Sequence, residues 1–275
     1  MSPNPQYVVL FHHFRRFLEA AADARIDVAP LKGAHLLTAA YPAGGDRGMI
    51  SDIDFLVRDG QWRDALRVAE RIGWTRRPSA KDEAASHEVG FHCALGDGRW
   101  VLFEAHRALF EPRRFPIDHG ALWGRATAGT LEGAPCARLA PEDHFAHVAF
   151  HEVIHRLSTL ERTLRDLELL IAAGPVDTER LFERAREWGV TRAVWLMLSL
   201  LAERRPDLEP VARRDAVAPK RAAGIAARWA ADLAVSGALR LVHHRASAVI
   251  LWPVLFDSKA RLARFVLNHP SAAGA

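Results

Sequence analysis

The run Asp52-Ile53-Asp54-Phe55-Leu56-Val57, entered through Gly48-Met49-Ile50-Ser51, constrains this chain more than any other stretch. It reads as a short strand. Side chains alternate along a strand, so Asp52 and Asp54 share one face while Ile53, Phe55 and Val57 share the other. Two carboxylates held side by side repel each other. A divalent cation between them removes that repulsion, and Mg²⁺ prefers such hard oxygen ligands. The spacing alone is a weak signal, because roughly four acidic i, i+2 pairs are expected by chance from this composition. Asp166/Glu168 and Asp177/Glu179 fall on helical patterns or a helix start, where i and i+2 diverge, and Asp207/Glu209 flanks a turn. Only Asp52/Asp54 sits in a β-type apolar alternation. Its plain alternative is a solvated edge strand carrying two surface acids.

The surrounding pattern predicts two parts. Tyr7 to Ala24 has a helical stripe of Val8, Phe11, Phe14, Leu18 and Ala21. A short strand over Ile26–Lys32, a helix over His35–Tyr41, the turn-rich loop 42–48, the aspartate strand and a helix over Gln61–Ile72 follow. His87–Ala94 and Arg99–Arg107 are strands joined by the hairpin turn Gly96-Asp97-Gly98. Residues 107–138 give no clear pattern. From about Pro141 the periodicity is helical over 142–156, 159–172, 178–188 and 191–203, with two more helices expected between Lys220 and Val266. The expected fold class is α+β: a small mixed β-sheet core with helices over residues 1–138, then an all-helical domain over 139–275.

A third carboxylate completes a two-metal site, and Glu104 is the candidate. In Val101-Leu102-Phe103-Glu104-Ala105-His106 it shares a strand face with Leu102 and His106. An acid in mid-strand among apolar residues is costly unless it is paired or metal-bound. An ion pair with Arg107 or Arg47 is the plain alternative. His106 is placed to bind phosphate or to orient Glu104, and equally to be an ordinary core histidine. Lys32-Gly33 ends one strand and opens a helix, where exposed N–H groups, a close backbone approach and a point charge suit phosphate. Arg47 is placed to neutralise phosphate charge, and Ser51 to add a hydrogen bond. Both also fit ordinary loop chemistry.

Composition excludes several classes. Of 275 residues, 49% are hydrophobic and 25% charged, the balance of a globular chain with room for one large or two smaller domains. The net charge of +4 is dispersed. It suits an anionic small substrate such as a nucleotide, and without a basic block or aromatic-interleaved basic run it argues against nucleic acid. Cys93 and Cys136 make no disulfide framework, so a reducing cytoplasm is expected. No signal-peptide pattern opens the chain. The apolar run Ala246–Phe256 is too short to span a bilayer and contains Pro253, so no membrane role is expected.

These motifs together resemble the nucleotidyltransferase superfamily, with a Gly-containing helix start, Asp-x-Asp on the next strand and a third acid on a later one. More narrowly, Leu31-Lys32-Gly33, Tyr41-Pro42, Arg47, Asp52 to Val57, Glu104-Ala105-His106, Leu139-Ala140-Pro141-Glu142-Asp143, His147, His151 and Arg165-Asp166-Leu167 resemble the bacterial uncharacterised nucleotidyltransferase family. The likeness spans about residues 26–265. Two positions depart: Ala34 replaces the second small residue of the superfamily signature, and Glu104 stands where aspartate is more typical. The resemblance implies a polymerase-β-like core and two Mg²⁺, with Mn²⁺ as a substitute, held by Asp52, Asp54 and Glu104. It implies an NTP or other phosphate-ester donor bound by Lys32, Gly33, Arg47, Ser51 and His106. The acceptor would be a hydroxyl on a natural-product peptide or saccharide, with the helical part supplying its wall.

Two alternatives compete. His151-Glu152-Val153-Ile154-His155 has zinc-peptidase spacing, with both histidines on one helix face and Glu152 as general base. The continuation Arg156 to Glu161 lacks the Gly and third His of metzincins. Its plain reading is a packed histidine stripe with His144 and His147. The second alternative is a catalytically inactive nucleotidyltransferase-fold binding module.

Overall fold

The computed structural model describes residues 5–41, 47–48, 50–78, 86–96, 98–115, 117–174 and 176–209, plus isolated positions 229, 232–233, 256–258, 260 and 262–263. The chain divides into two compact units, residues 1–112 with 118–140, and residues 113–117 with 141–275.

The first unit opens with helix α1, Pro5–Asp23. Its buried stripe is Leu10, Phe11, Phe14, Phe17, Leu18 and Ala21, the three-and-four spacing of one helix face. Val8, expected in that stripe, is exposed instead; it lies on the face that Tyr7 and Leu10 leave to solvent. Strand β1 (Val28–Pro30), helix α2 (Lys32–Ala39), strand β2 (Asp52–Val57), helix α3 (Trp62–Arg71), strand β3 (Thr75–Arg76), strand β4 (Glu88–Ala94) and strand β5 (Trp100–His106) follow. The strands form one mixed sheet in the order β1-β2-β5-β4-β3. β2 and β5 run parallel, and the other neighbours antiparallel.

Register sorts this sheet into two chemically different faces. One carries Ile53, Phe55, Val57, Phe91, Phe103 and Ala105, all buried. Against it lie Phe14 and Phe17 of α1 and the buried Trp74, whose ring stacks on Phe103 at 3.9 Å between centroids and 7° between planes. Phe17 meets Trp74 at 4.9 Å and Phe55 at 4.8 Å. Burying one such side chain contributes roughly 1.5–3 kcal/mol, and the aromatic pairs add about 0.5–1.5 kcal/mol each. The other face carries Asp52, Asp54, Glu104, His106, Glu88, Gly90 and His92. One face thus supplies the adhesion that holds a row of acids on the other.

Residues 107–138, where the sequence shows no clear pattern, hold helix α4 (His119–Arg125) and a hairpin of β6 (Thr127–Leu131) with β7 (Ala134–Arg138). Asp118 caps α4 by accepting from the Ala121 N–H at 2.9 Å. The hairpin turns through Glu132 and Gly133, both at positive φ (50° and 82°). β7 packs on α1 and β1, and the buried Leu131 of β6 and Ala134 of β7 join the same core.

The second unit is helical where described: α5 (Pro141–Ile154), α6 (Leu160–Ala173), α7 (Thr178–Trp188) and α8 (Thr191–Ala202). α5 packs on the other three around Phe145, Phe150, Val153, Leu164, Leu167, Leu181, Phe182, Leu196 and Met197. Asp177 caps α7 through the Glu179 and Arg180 N–H groups, and Gly189 closes it at φ 70°. Asp257 accepts from the Thr191 and Arg192 N–H groups at 2.9 and 2.8 Å, capping α8 from a position 65 or more residues away. The two helices expected between Lys220 and Val266 lie, apart from isolated positions, outside the described residues. Among the described residues no helix is long and apolar enough to cross a membrane.

Candidate active site

Parallel pairing of β2 with β5 sets Asp54 directly beside Glu104 and Asp52 beside Leu102. Asp52 lies two residues from Asp54 on the same face, so the three carboxylates form one cluster. The Lys32 ammonium donates to Asp54 Oδ1 at 2.8 Å, and His106 Nε2 lies 3.1 Å from the same oxygen. His106 Nε2 is also 3.8 Å from Glu104, and its Nδ1 is 3.9 Å from Glu88. Ser51 donates to Asp52 Oδ1 at 2.9 Å.

The cluster's electrostatics follow from burial and neighbours. Burial alone would push the Asp54 carboxyl up, but the Lys32 charge and the His106 contact hold it well below the usual range. Burial would likewise depress the Lys32 ammonium, yet Asp54 keeps it above its ordinary value. Asp52 and Glu104 go the other way. Burial first, and the Asp54 charge second, push both carboxyls up. One ammonium therefore faces three acids, and two of the three are short of positive charge.

That imbalance tests whether a divalent cation fits. Asp54, Glu104 and His106 offer ligand atoms within 4.8 Å of one another. Both lysine and histidine contacts to Asp54 use Oδ1. The carboxylate oxygens suit a hard cation, and an added positive charge would relieve the repulsion that burial intensifies. The residues present fit the group.

Lys32 is the first residue of α2, three positions before the expected helix start, and its φ of 45° lies in the left-handed region. Such a conformation costs on the order of 1–3 kcal/mol for a side-chain-bearing residue and recurs at functional sites. The Arg47 guanidinium lies against Gly33: a Cβ there would meet Nη1 at 2.9 Å. Glycine at 33 leaves room for this approach by the arginine head. Sequence reasoning missed what holds Arg47. Tyr7 accepts from the Arg47 N–H at 3.1 Å and donates to the Gly48 carbonyl at 2.5 Å. It also missed Glu88, although the alternation Glu88-x-Gly90-x-His92 marks one strand face. Neither proposed arginine partner of Glu104 pairs with it: Arg107 lies 3.7 Å from Asp59, and Arg47 lies on Gly33.

The zinc-peptidase alternative meets a physical objection. Glu152 is buried, and its carboxylate accepts from the Thr159 N–H and hydroxyl, both at 2.6 Å, and from the Thr163 hydroxyl at 2.8 Å. It is a cap for α6 rather than an open general base. α5 ends at Ile154, so His155 lies beyond it, followed by Arg156 and Leu157 at left-handed φ. Among the described residues, the groups able to hold a metal ion contain neither His151 nor His155. Glu152→Ala is expected to lower stability by roughly 2–4 kcal/mol, because three hydrogen bonds to one charged acceptor are lost. Thermal unfolding checks this. Unchanged stability would remove the capping role.

The five-stranded mixed sheet with its helices is similar to nucleotidyltransferase folds. The model of the uncharacterised nucleotidyltransferase family matches residues 6–206, and the chain belongs to that family; it is a nucleotidyltransferase. Among solved structures, an antigenic nucleotidyltransferase-like protein from Paracoccidioides brasiliensis is similar at a TM-score of 0.51 and 16% identity, over 76% of this chain and 95% of that one. Two structures of ANT(2'')-Ia also match at 14% identity. One is described as an antibiotic-resistance factor (TM-score 0.42, 74% of this chain and 96% of that one), the other as a complex with adenylyl-2''-tobramycin (TM-score 0.43, 65% and 97%). No curated protein matches this chain.

Proposed function

We propose that the protein transfers a nucleoside monophosphate from an NTP to a hydroxyl acceptor, a natural-product peptide or a saccharide. The observation that carries this reading is the register of Asp54 against Glu104, with Asp52 on the same face. Asp52 and Asp54 would hold a nucleotide-side Mg²⁺, and Asp52, Asp54 and Glu104 a second, with Mn²⁺ as a substitute. The bound metal supplies Lewis-acid stabilisation of phosphoryl oxygens and acidifies the acceptor hydroxyl.

The chain's own residues divide the remaining work. Lys32 and the Gly33-backed Arg47 face the donor phosphates and stabilise their charge. Ser51 fixes Asp52 through its hydrogen bond, and His106 fixes Asp54. The acceptor oxygen bonds to the donor's α-phosphorus, the bond to the β-phosphate oxygen breaks, pyrophosphate leaves with the electron pair, and the hydroxyl proton is released. Residues 1–138 are proposed as the nucleotidyltransferase domain and 139–275 as a separate helical domain.

Incubation with each NTP, Mg²⁺, and peptide or saccharide acceptors, read by mass spectrometry, tests the reading. The expected gain is one nucleoside monophosphate. A gain of phosphate alone, or of a hexose, would replace the reaction class.

A further inference from the structure

The row of residues crossing the sheet at Asp54 does not stop at Glu104. Glu104 pairs with Gly90 on β4, and the Arg77 N–H donates to the Gly90 carbonyl at 2.8 Å, extending the β3–β4 register by one residue. Asp54, Glu104, Gly90 and Arg77 thus stand side by side, about 4.8 Å apart from strand to strand. Alternation puts Arg77 on the acidic face, whereas its neighbour Arg76 faces α3 and pairs with Glu70 at 2.6 Å.

Gly90 is the gap in this row. A Cβ there would meet Arg77 Cδ at 3.2 Å and its Cβ and Cγ at 3.7 Å, so the arginine stem lies over the glycine. Arg77 is exposed. Arg58, Arg67, Arg76 and Arg107 each have a carboxylate partner, at 2.5, 2.9, 2.6 and 3.7 Å. Arg77 has none among the described residues; it stands two strands from Glu104, with Gly90 of β4 between them. An exposed arginine on the acidic face that pairs with no carboxylate is open to an incoming anion, for which its planar fork is suited.

Its position says which anion. Lys32, Gly33 and Arg47 flank the acids on the β1–α2 side, and Arg77 flanks them on the opposite side, beyond Glu104. We infer that Arg77, admitted to the acidic face by Gly90, binds an anionic group on the acceptor, so that the acceptor is a hydroxyl compound also bearing a phosphate or carboxylate. This rests on the transfer reading above, in which the donor takes the Lys32 side. The acceptor hydroxyl would still displace pyrophosphate from the α-phosphorus, and the anionic group only anchors it. A neutral sugar leaves Arg77 unused, and a cationic acceptor is repelled by it.

Calorimetry on the full chain separates the two readings. Mg²⁺ with the α,β-methylene analogue of each of the four NTPs tests the donor side. Glycerol 3-phosphate, glycerate and glycerol, titrated with and without nucleotide, test Arg77, and the two anions distinguish phosphate from carboxylate. At least one anion is expected to bind more tightly than glycerol. Arg77→Met, which keeps the stem, should weaken it about tenfold or more, with nucleotide affinity unchanged within about twofold. Gly90→Val, which suits a strand and evicts the stem, should do the same. Equal binding of glycerol and both anions, anion binding indifferent to Arg77→Met, or a loss of nucleotide affinity instead would overturn the assignment. Arg77-dependent anion binding without any nucleotide binding would keep the anion site and remove the transfer reading.

Discussion

Replacing Asp54 with asparagine is expected to lower nucleotidyl transfer about 1,000-fold, read as pyrophosphate release. Asp54, like Asp52, is shared by both proposed metal positions, and it alone of the two also meets Lys32, His106 and the paired Glu104. Lewis-acid stabilisation is worth several kcal/mol, and each 1.36 kcal/mol is about tenfold in rate. The amide keeps one acceptor oxygen for Lys32 and His106, so the cluster's geometry largely survives. Lys32 loses its closest charge but still has Asp52 and Glu104, which already act on it. The stability cost should therefore stay below about 3 kcal/mol. Large loss of rate with small loss of stability is the signature of a metal-holding acid. Equal losses of both would make Asp54 an architectural ion pair.

The largest effect on stability is expected at Trp74. Trp74→Ala should cost roughly 3–5 kcal/mol, the range for deleting a large buried aromatic side chain. Trp74 is 3% exposed and touches Phe17, Phe55, Phe91 and Phe103, which come from α1 and three different strands. Its removal opens a cavity that no single neighbour can fill. At about 2–4 °C per kcal/mol for a chain of this size, the melting temperature should fall by roughly 6–20 °C. Trp74→Phe, which keeps an aromatic face against Phe103, should cost less than half as much. If Trp74→Ala melts within about 2 °C of the parent, the aromatic cluster is not what holds the sheet's apolar face.

Asp54 and Glu104 show what could be read in advance. The aspartate strand was legible because its polar and apolar residues alternate without interruption. Glu104 was legible for the same reason. What the alternation could not tell was which strands lie beside one another, and the site depends on that. Parallel pairing of β2 with β5 puts Asp54 beside Glu104, and no local signal encodes it. His106 was singled out for phosphate or Glu104; its shorter contact is to Asp54.

Arg77 was invisible for a related reason. β3 has only two residues, too short for any periodicity, and Arg77 matters only through its pairing with a glycine thirteen positions on. The hairpin Thr127–Arg138 went unread because its turn is Glu132-Gly133. Glu132 adopts positive φ without being a residue type that favours it, so the usual Asn-Gly or Asp-Gly mark is missing. Val8 looked like a core position because a stripe is one residue ambiguous at a helix end. The helices from Pro141 to Ala202 were plain, since helical periodicity is local. The Glu152 cap was not, because it joins two helices across a tight turn.

The central claim is that Asp52, Asp54 and Glu104 together hold divalent metal for nucleotidyl transfer. Mn²⁺ binding, followed by electron paramagnetic resonance with an α,β-methylene NTP analogue present, tests it most directly. Two bound Mn²⁺ per chain are expected, with Glu104→Gln losing one and Asp54→Asn losing both. Mn²⁺ binding that is unchanged in both variants, or absent from the parent protein with nucleotide bound, would contradict it.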